Sequence, residues 1–236
     1  MTSNVIVVLV HGALTGASVW DGVSQKLQAT GLNIIAPAMP LRSLQSDANY
    51  LAAFIKTLDG TVVIAGHSYA GSVMSHPAIA SDKLKALVFV AGFALEAGES
   101  TGELNGRWPG SLLSETAVTI RPSPDGDELY LRPDRFQEVY ANDLPQPTAA
   151  LLAAAQRPIT VSALGDAFRG RAAWHDIPSW TVLSTKDNSL PSEAQRFMAK
   201  RANSVVTEIA ASHASPVSQP QAVADVIAEA VRQAST

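Results

Sequence analysis

Ser68 lies in the stretch VVIAGHSYAGSVM, residues 62–74, between His67 and Tyr69 and flanked by Gly66 and Gly71. A serine hydroxyl is a weak nucleophile until a base removes its proton, and that base needs a carboxylate to orient it. The residues around Ser68 suit such a role. TVVIAG before it reads as a strand, and Ala70, Val73 and Met74 after it begin a helical pattern. A serine on a sharp strand-to-helix turn has its hydroxyl raised above the sheet edge. The helix N-terminus there favours developing negative charge. Small residues at 66, 70 and 71 are needed because strand and helix pass close together. The pattern Gly-x-Ser-x-Gly is broken by one methyl group, at Ala70, and Gly71 follows directly.

The chain offers five histidines as the base. His67 adjoins the serine, so its side chain points elsewhere. His76, beside Pro77, reads as structural or exposed, and His175, near Pro178, is a weak candidate. His213, in IAASHASPVSQP, falls on a loop between the last apolar run and the last helical pattern. Loops at the carboxyl ends of parallel strands are where such sheets build their sites, and His213 is therefore favoured. For the acid, WTVLSTKDNSLP places Asp187 directly after a strand pattern. Glu96 and Glu99, after LVFVAG, are the alternatives; Asp176 and Asp225 fit less well. Asp-Asn is also ordinary turn chemistry.

Acyl transfer requires donors for an oxyanion, each contributing roughly 3 kcal/mol in the transition state. The backbone N–H of Tyr69 comes with the turn. The second is expected from His11-Gly12-Ala13, after the first strand pattern, through the N–H of Ala13, with His11 bracing the loop.

These groups have to be positioned by a regular scaffold. VIVVLV (Val5 to Val10), NIIAP, TVVIAG, LKALVFVAG, SWTVLST and SVVTEIA read as strands apolar on both faces. Helical patterns separate them: Leu51, Phe54, Ile55 and Leu58 recur at helical spacing. Ser218-Gln219-Pro220-Gln221 reads as a serine cap opening a last helix with Val223, Val226, Ile227, Ala230 and Val231 on one face. The fold class is α/β, a mostly parallel six-stranded sheet covered on both sides. The rhythm stops between residues 94 and 175, a segment rich in Pro, Gly and Asp yet carrying Trp108, Phe136, Tyr140 and Trp174. A long insertion with apolar residues of its own reads as a cap over a site. The expected organisation is a core of 1–93 and 176–236 with a cap (lid) of 94–175, whose Trp108, Phe136 and Tyr140 are candidates for contact with substrate.

Composition excludes several alternatives. The 236 residues hold no cysteine, which removes disulfides, thiolate zinc sites and thiol catalysis. With a formal net charge of −4 and no basic run, binding to nucleic acid or an anionic membrane is disfavoured. The apolar run at the N-terminus ends at His11 and has no Lys or Arg before it, unlike a secretory signal or a membrane span. A cytoplasmic protein, monomer or homodimer, is the expectation.

VHGALTGASVW, GHSYAG, KDNSLP and SHASPVSQP together resemble the α/β-hydrolase superfamily, and within it the group of plant methyl-ester esterases, plant hydroxynitrile lyases and their bacterial relatives. The resemblance implies the α/β-hydrolase fold with no metal and no cofactor. It implies a catalytic triad of Ser68, His213 and Asp187, with the N–H groups of Ala13 and Tyr69 as the oxyanion hole. In the lyases a threonine follows the first histidine and a lysine follows the triad histidine; Gly12 and Ala214 stand there in this chain, which points to hydrolysis. The expected activity is that of a carboxylic ester hydrolase, a serine esterase cleaving an ester or lactone of a small to medium apolar substrate through an acyl-enzyme. Lyase or cofactor-free oxygenase chemistry on the same scaffold, or a non-catalytic ligand receptor, are the alternatives. Ser215-Pro216, beside His213, is unusual for the pattern.

Overall fold

The period of two in the first strand decides how the sheet is covered. In the computed structural model, which describes residues 5–234, β1 (Val5–Val10) is buried along its whole length. Successive side chains on a strand point to opposite faces. Val5, Val7 and Leu9 accordingly join one apolar cluster and Ile6, Val8 and Val10 another. The chain continues through α1 (Asp21–Gln28), β2 (Asn33–Ile35), α2 (Leu44–Lys56), β3 (Thr61–His67), α3 (Ala70–Ser75) and β4 (Leu84–Val90). Next come α4 (Thr101–Asn105), β5 (Val118–Ser123), β6 (Gly126–Leu131), α5 (Pro133–Tyr140), α6 (Gln146–Ala154), β7 (Ile159–Thr160) and α7 (Val161–Gly165). The last part runs β8 (Ser179–Ser184), α8 (Ser192–Arg201), β9 (Val205–Ile209), α9 (Ser215–Ser218) and α10 (Pro220–Ala234).

Six of these strands form one parallel sheet in the order β2-β1-β3-β4-β8-β9. The fold is thus the α/β arrangement expected from strand–helix alternation. Helices α1 and α10 pack on each other and bury Val23, Leu27, Val223 and Ile227 against one face of the sheet. On the other face α2 packs against α3, and Leu51, Ile55, Val73 and Met74 share a cluster with Met198 of α8. Ser43 caps α2, its Oγ accepting the Ser46 N–H at 3.1 Å. Among the described residues no helix is long and apolar enough to cross a membrane.

Two local expectations are corrected. The run SVVTEIA forms β9 but is not buried on both faces: Val205 and Val206 are exposed, because β9 is an edge strand with only β8 beside it. Ser218 does not cap the last helix. It ends the short turn α9, its Oγ has no partner, and α10 starts at Pro220. Pro216 sits in the first turn of α9, where a missing N–H leaves no hydrogen bond unmade. The N-terminal residues 1–4 and the last two residues, included in the expected core, lie outside the described part of the chain.

Between β4 and β8 the chain builds a small antiparallel sheet, β5-β6-β7, with helices around it. A tight turn pairs Ser123 with Gly126, whose φ of +110° is open to glycine at little steric cost. The segment is laced to the loop before α2. Thr160 Oγ1 donates to the Arg42 carbonyl at 2.6 Å, the Thr160 N–H to the Leu41 carbonyl at 3.1 Å, and Arg42 Nη1 meets Glu128 Oε1 at 2.5 Å.

Candidate active site

Ser68 occupies the sharp turn between β3 and α3 with a φ of +55°, a left-handed conformation rarely adopted by a side-chain-bearing residue. Its backbone is held from two directions. The Ser68 N–H donates to the Val90 carbonyl at 3.1 Å, and the Ser68 carbonyl accepts the N–H groups of Gly71 at 2.9 Å and Phe93 at 3.2 Å. Such over-determination is what lets a strained turn persist. The close approach falls at position 71: a Cβ there would lie 2.5 Å from the Phe93 carbonyl oxygen. The methyl of Ala70, by contrast, is accommodated in the core. The glycine displaced by one place is therefore the one this turn requires.

Asp187 follows β8 and His213 follows β9, and the sheet brings both to Ser68. His213 Nε2 is 2.8 Å from Ser68 Oγ, and His213 Nδ1 is 2.7 Å from Asp187 Oδ2. Because the carboxylate can only accept, Nδ1 carries the proton and Nε2 is left to accept the serine hydroxyl. Asp187 is itself fixed by three further donors: the N–H groups of Ser189 at 2.7 Å and Leu190 at 2.8 Å on Oδ1, and Gln195 Nε2 at 3.1 Å on Oδ2. A carboxylate stripped of water is stabilised by this set of donors. Gln195, on α8, gave no signal in the sequence.

The expected oxyanion donors also converge. Ala13 and Tyr69 both line the cavity above Ser68, and among the described residues neither N–H donates a hydrogen bond within the chain. Gly12 makes room for this: a Cβ there would stand 2.5 Å from the His67 carbonyl oxygen and 2.8 Å from Ser68 Cβ. His11 braces the loop, accepting the Met39 N–H on Nε2 at 2.9 Å and reaching the Gly12 carbonyl from Nδ1 at 2.9 Å. Burial lowers its pKa to about 4, so the ring is neutral. The Tyr69 side chain is anchored separately. Its hydroxyl donates to Asp47 Oδ2 at 2.9 Å, and burial raises the pKa of that carboxyl above the ordinary range.

A cavity of about 670 Å³ opens over Ser68 and His213, its walls drawn from Leu14, Phe93, Leu129, Ile159 and Leu164. Tyr140 lines it, its ring edge-on to His213 at 4.8 Å between centroids. Trp108 and Phe136 are not in its wall. Trp108 packs on Phe197 and Phe136 on Tyr140. The other ionisable candidates are engaged elsewhere. Glu96 pairs with His175 at 2.7 Å, Glu99 binds Arg201 and Arg107, Asp176 binds Arg171, and His76 Nδ1 accepts the Ala78 N–H at 3.1 Å.

A parallel sheet carrying a strained serine at a strand–helix turn, with a histidine and an aspartate on later strand-end loops, defines a class of protein. Residues 7–226 match the model of the Alpha/beta hydrolase family, and the chain belongs to that family. Among characterised proteins it is similar to a pyrethroid hydrolase from Sphingobium wenxiniae, 26% identical, with 94% of this chain and 86% of that protein covered. Among solved structures it is similar to a pyrethroid hydrolase from Sphingobium faniae, with a TM-score of 0.76 at 24% identity over 98% of this chain and 100% of that one. It is also similar to a methylesterase protein from Arabidopsis, with a TM-score of 0.76 at 18% identity over 97% of this chain and 99% of that one.

Proposed function

We propose that the protein is a serine esterase that hydrolyses uncharged apolar carboxylic esters or lactones through an acyl-enzyme. The observation that carries this reading is the unbroken line of hydrogen bonds from Asp187 through His213 to Ser68, which opens on an apolar cavity. Ser68 Oγ attacks the carbonyl carbon as His213 Nε2 takes its proton. The oxyanion is held by the N–H groups of Ala13 and Tyr69, and Asp187 stabilises the imidazolium. His213 then protonates the departing alkoxide, and the alcohol leaves from an ester or, from a lactone, stays attached to the acyl group as its hydroxyl. Water attacks the acyl-enzyme by the reverse logic, and the free acid is released with Ser68 restored.

Residues 94–175 act as the cap in this reading, supplying Leu129, Ile159, Leu164 and Tyr140 to the cavity. Its volume, about 670 Å³, falls within the span typical of sites for drug-sized molecules. Among the described residues the wall contains no Lys or Arg, while Glu115 and Asp127 stand in it, which favours uncharged over anionic substrates. The names of the similar proteins, a pyrethroid hydrolase and a methylesterase, agree with ester cleavage. The test is incubation with a serine-directed phosphonate followed by peptide mass spectrometry, beside turnover of p-nitrophenyl esters of graded chain length. Label on Ser68 with loss of turnover is expected. Turnover that survives stoichiometric labelling, or label elsewhere, would refute the assignment.

A further inference from the structure

His67 has no part in the proton transfers just described, yet it is completely buried at the end of β3, beside the nucleophile. Its Nε2 lies 2.8 Å from the backbone carbonyl oxygen of His213, 146 residues away in the chain. A carbonyl oxygen only accepts, so Nε2 carries the proton and Nδ1 does not. The ring is wedged between Trp20, edge-on at 6.3 Å, and Tyr140, edge-on at 6.0 Å, with the His213 ring 4.9 Å away.

The loop bearing His213 has other tethers: the Ala211 carbonyl accepts the Lys186 N–H just after β8 at 3.0 Å, and two more lead into the segment between β4 and β8. The Ala214 N–H donates to the Tyr140 carbonyl at 3.0 Å, and the Ser212 N–H to Asp143 Oδ2 at 2.9 Å. The bond from His67 leads to β3, the strand that runs into Ser68, where His67 is itself in register with Val90 of β4. We propose that His67 is a positioning residue: its Nε2–H ties the base's own peptide to the strand that carries the nucleophile, and so sets the distance between His213 Nε2 and Ser68 Oγ. This rests on the esterase reading for its rate consequence, though not for its geometry. Burial, and after it the nearness of His213, hold the His67 imidazole well below its ordinary pKa. It therefore stays neutral when His213 becomes an imidazolium, and the two rings do not repel.

The test pairs two variants with one measurement on the unaltered protein. His67→Leu fills the space without a donor, while His67→Gln offers an amide N–H at about the same reach. For His67→Leu we expect kcat to fall roughly ten- to a hundred-fold with KM within about three-fold, since displacing a reacting group by a fraction of an ångström has that order of effect. His67→Gln should recover most of the loss. Equal impairment in both variants, or a folded His67→Leu protein with unchanged kcat, would overturn the proposal. Nitrogen NMR of the imidazoles in the unaltered protein decides the matter even if a variant does not fold. A neutral Nε2–H tautomer at His67 is expected, and an Nδ1–H tautomer would exclude the bond to His213. If no ester is turned over by the unaltered protein, the esterase reading fails, and the tautomer still reports on the tether.

Discussion

Replacing Asp187 by asparagine removes a charge without changing shape, and the surroundings dictate how the amide must sit. Asp187 Oδ1 accepts two backbone N–H groups, from Ser189 at 2.7 Å and Leu190 at 2.8 Å. An amide NH2 turned towards them would face two donors, so its oxygen takes that side and its nitrogen is forced against His213 Nδ1. His213 Nδ1 must then accept the amide N–H, which moves the imidazole proton to Nε2, 2.8 Å from Ser68 Oγ. The base is now protonated where it should be bare. The expected loss in kcat for Asp187→Asn is about 10⁴-fold, or about 5.4 kcal/mol on the barrier, the magnitude associated with a wrong histidine tautomer in a triad. KM should change little, because the carboxylate does not touch substrate. Steady-state kinetics on a p-nitrophenyl ester, with circular dichroism to confirm the fold, make the measurement, and Glu96→Gln serves as the control. A folded Asp187→Asn variant that keeps more than about a tenth of kcat would remove Asp187 from the role of orienting acid.

Gly12→Ala tests the oxyanion loop. The added methyl would sit 2.5 Å from the His67 carbonyl oxygen, so the loop must move and carry the Ala13 N–H with it; a loss of roughly 10²–10³ in kcat is expected, and activity within about two-fold of the parent would refute the placement of that donor. Stability should fall with acid because His11 and His67 are buried neutral. Both have folded-state pKa values below the unfolded one, so their contribution is complete above pH 6.5 and is lost as the pH drops towards the folded value, near 4 for His11. For His11 alone the loss amounts to about 3 kcal/mol. Asp47, with a raised pKa, acts in the opposite sense, but it is one group against two histidines. Denaturant midpoints that stay flat from about pH 7 to about pH 4.5 would contradict this balance.

The parts of the site that could be read from the chain are those whose position follows from local pattern and from the geometry of a parallel sheet. Ser68, Asp187 and His213 each end an apolar run, and a parallel sheet places all such ends on one edge. That edge brings the three side chains within hydrogen-bonding distance. The Ala70 departure also became intelligible only from contacts, since the close approach to Phe93 falls at Gly71. By contrast, aromatic content in the segment from 94 to 175 indicates burial but not what is buried against what. Phe136 is buried against Tyr140 and Trp108 is half-buried against Phe197, and neither stands in the cavity wall. The turn at Pro124-Asp125-Gly126 carries ordinary hairpin chemistry, but the flanking strands, VTIRPS and GDELYL, alternate too poorly to mark a hairpin.

Gln195 and His67 show a different limit. Each meets the proposed triad through one hydrogen bond to a residue on another element, and neither residue type nor spacing marks such a bond in advance. Both hold a member of the proposed triad from behind: Gln195 the Asp187 carboxylate, His67 the peptide of His213. Such supporting contacts matter because acid–base catalysis tolerates little misplacement of the base relative to the proton it removes. The identity of the proposed triad is therefore a local property of three strand ends. Its working distances belong to the packing of β3, α8 and the loop after β9.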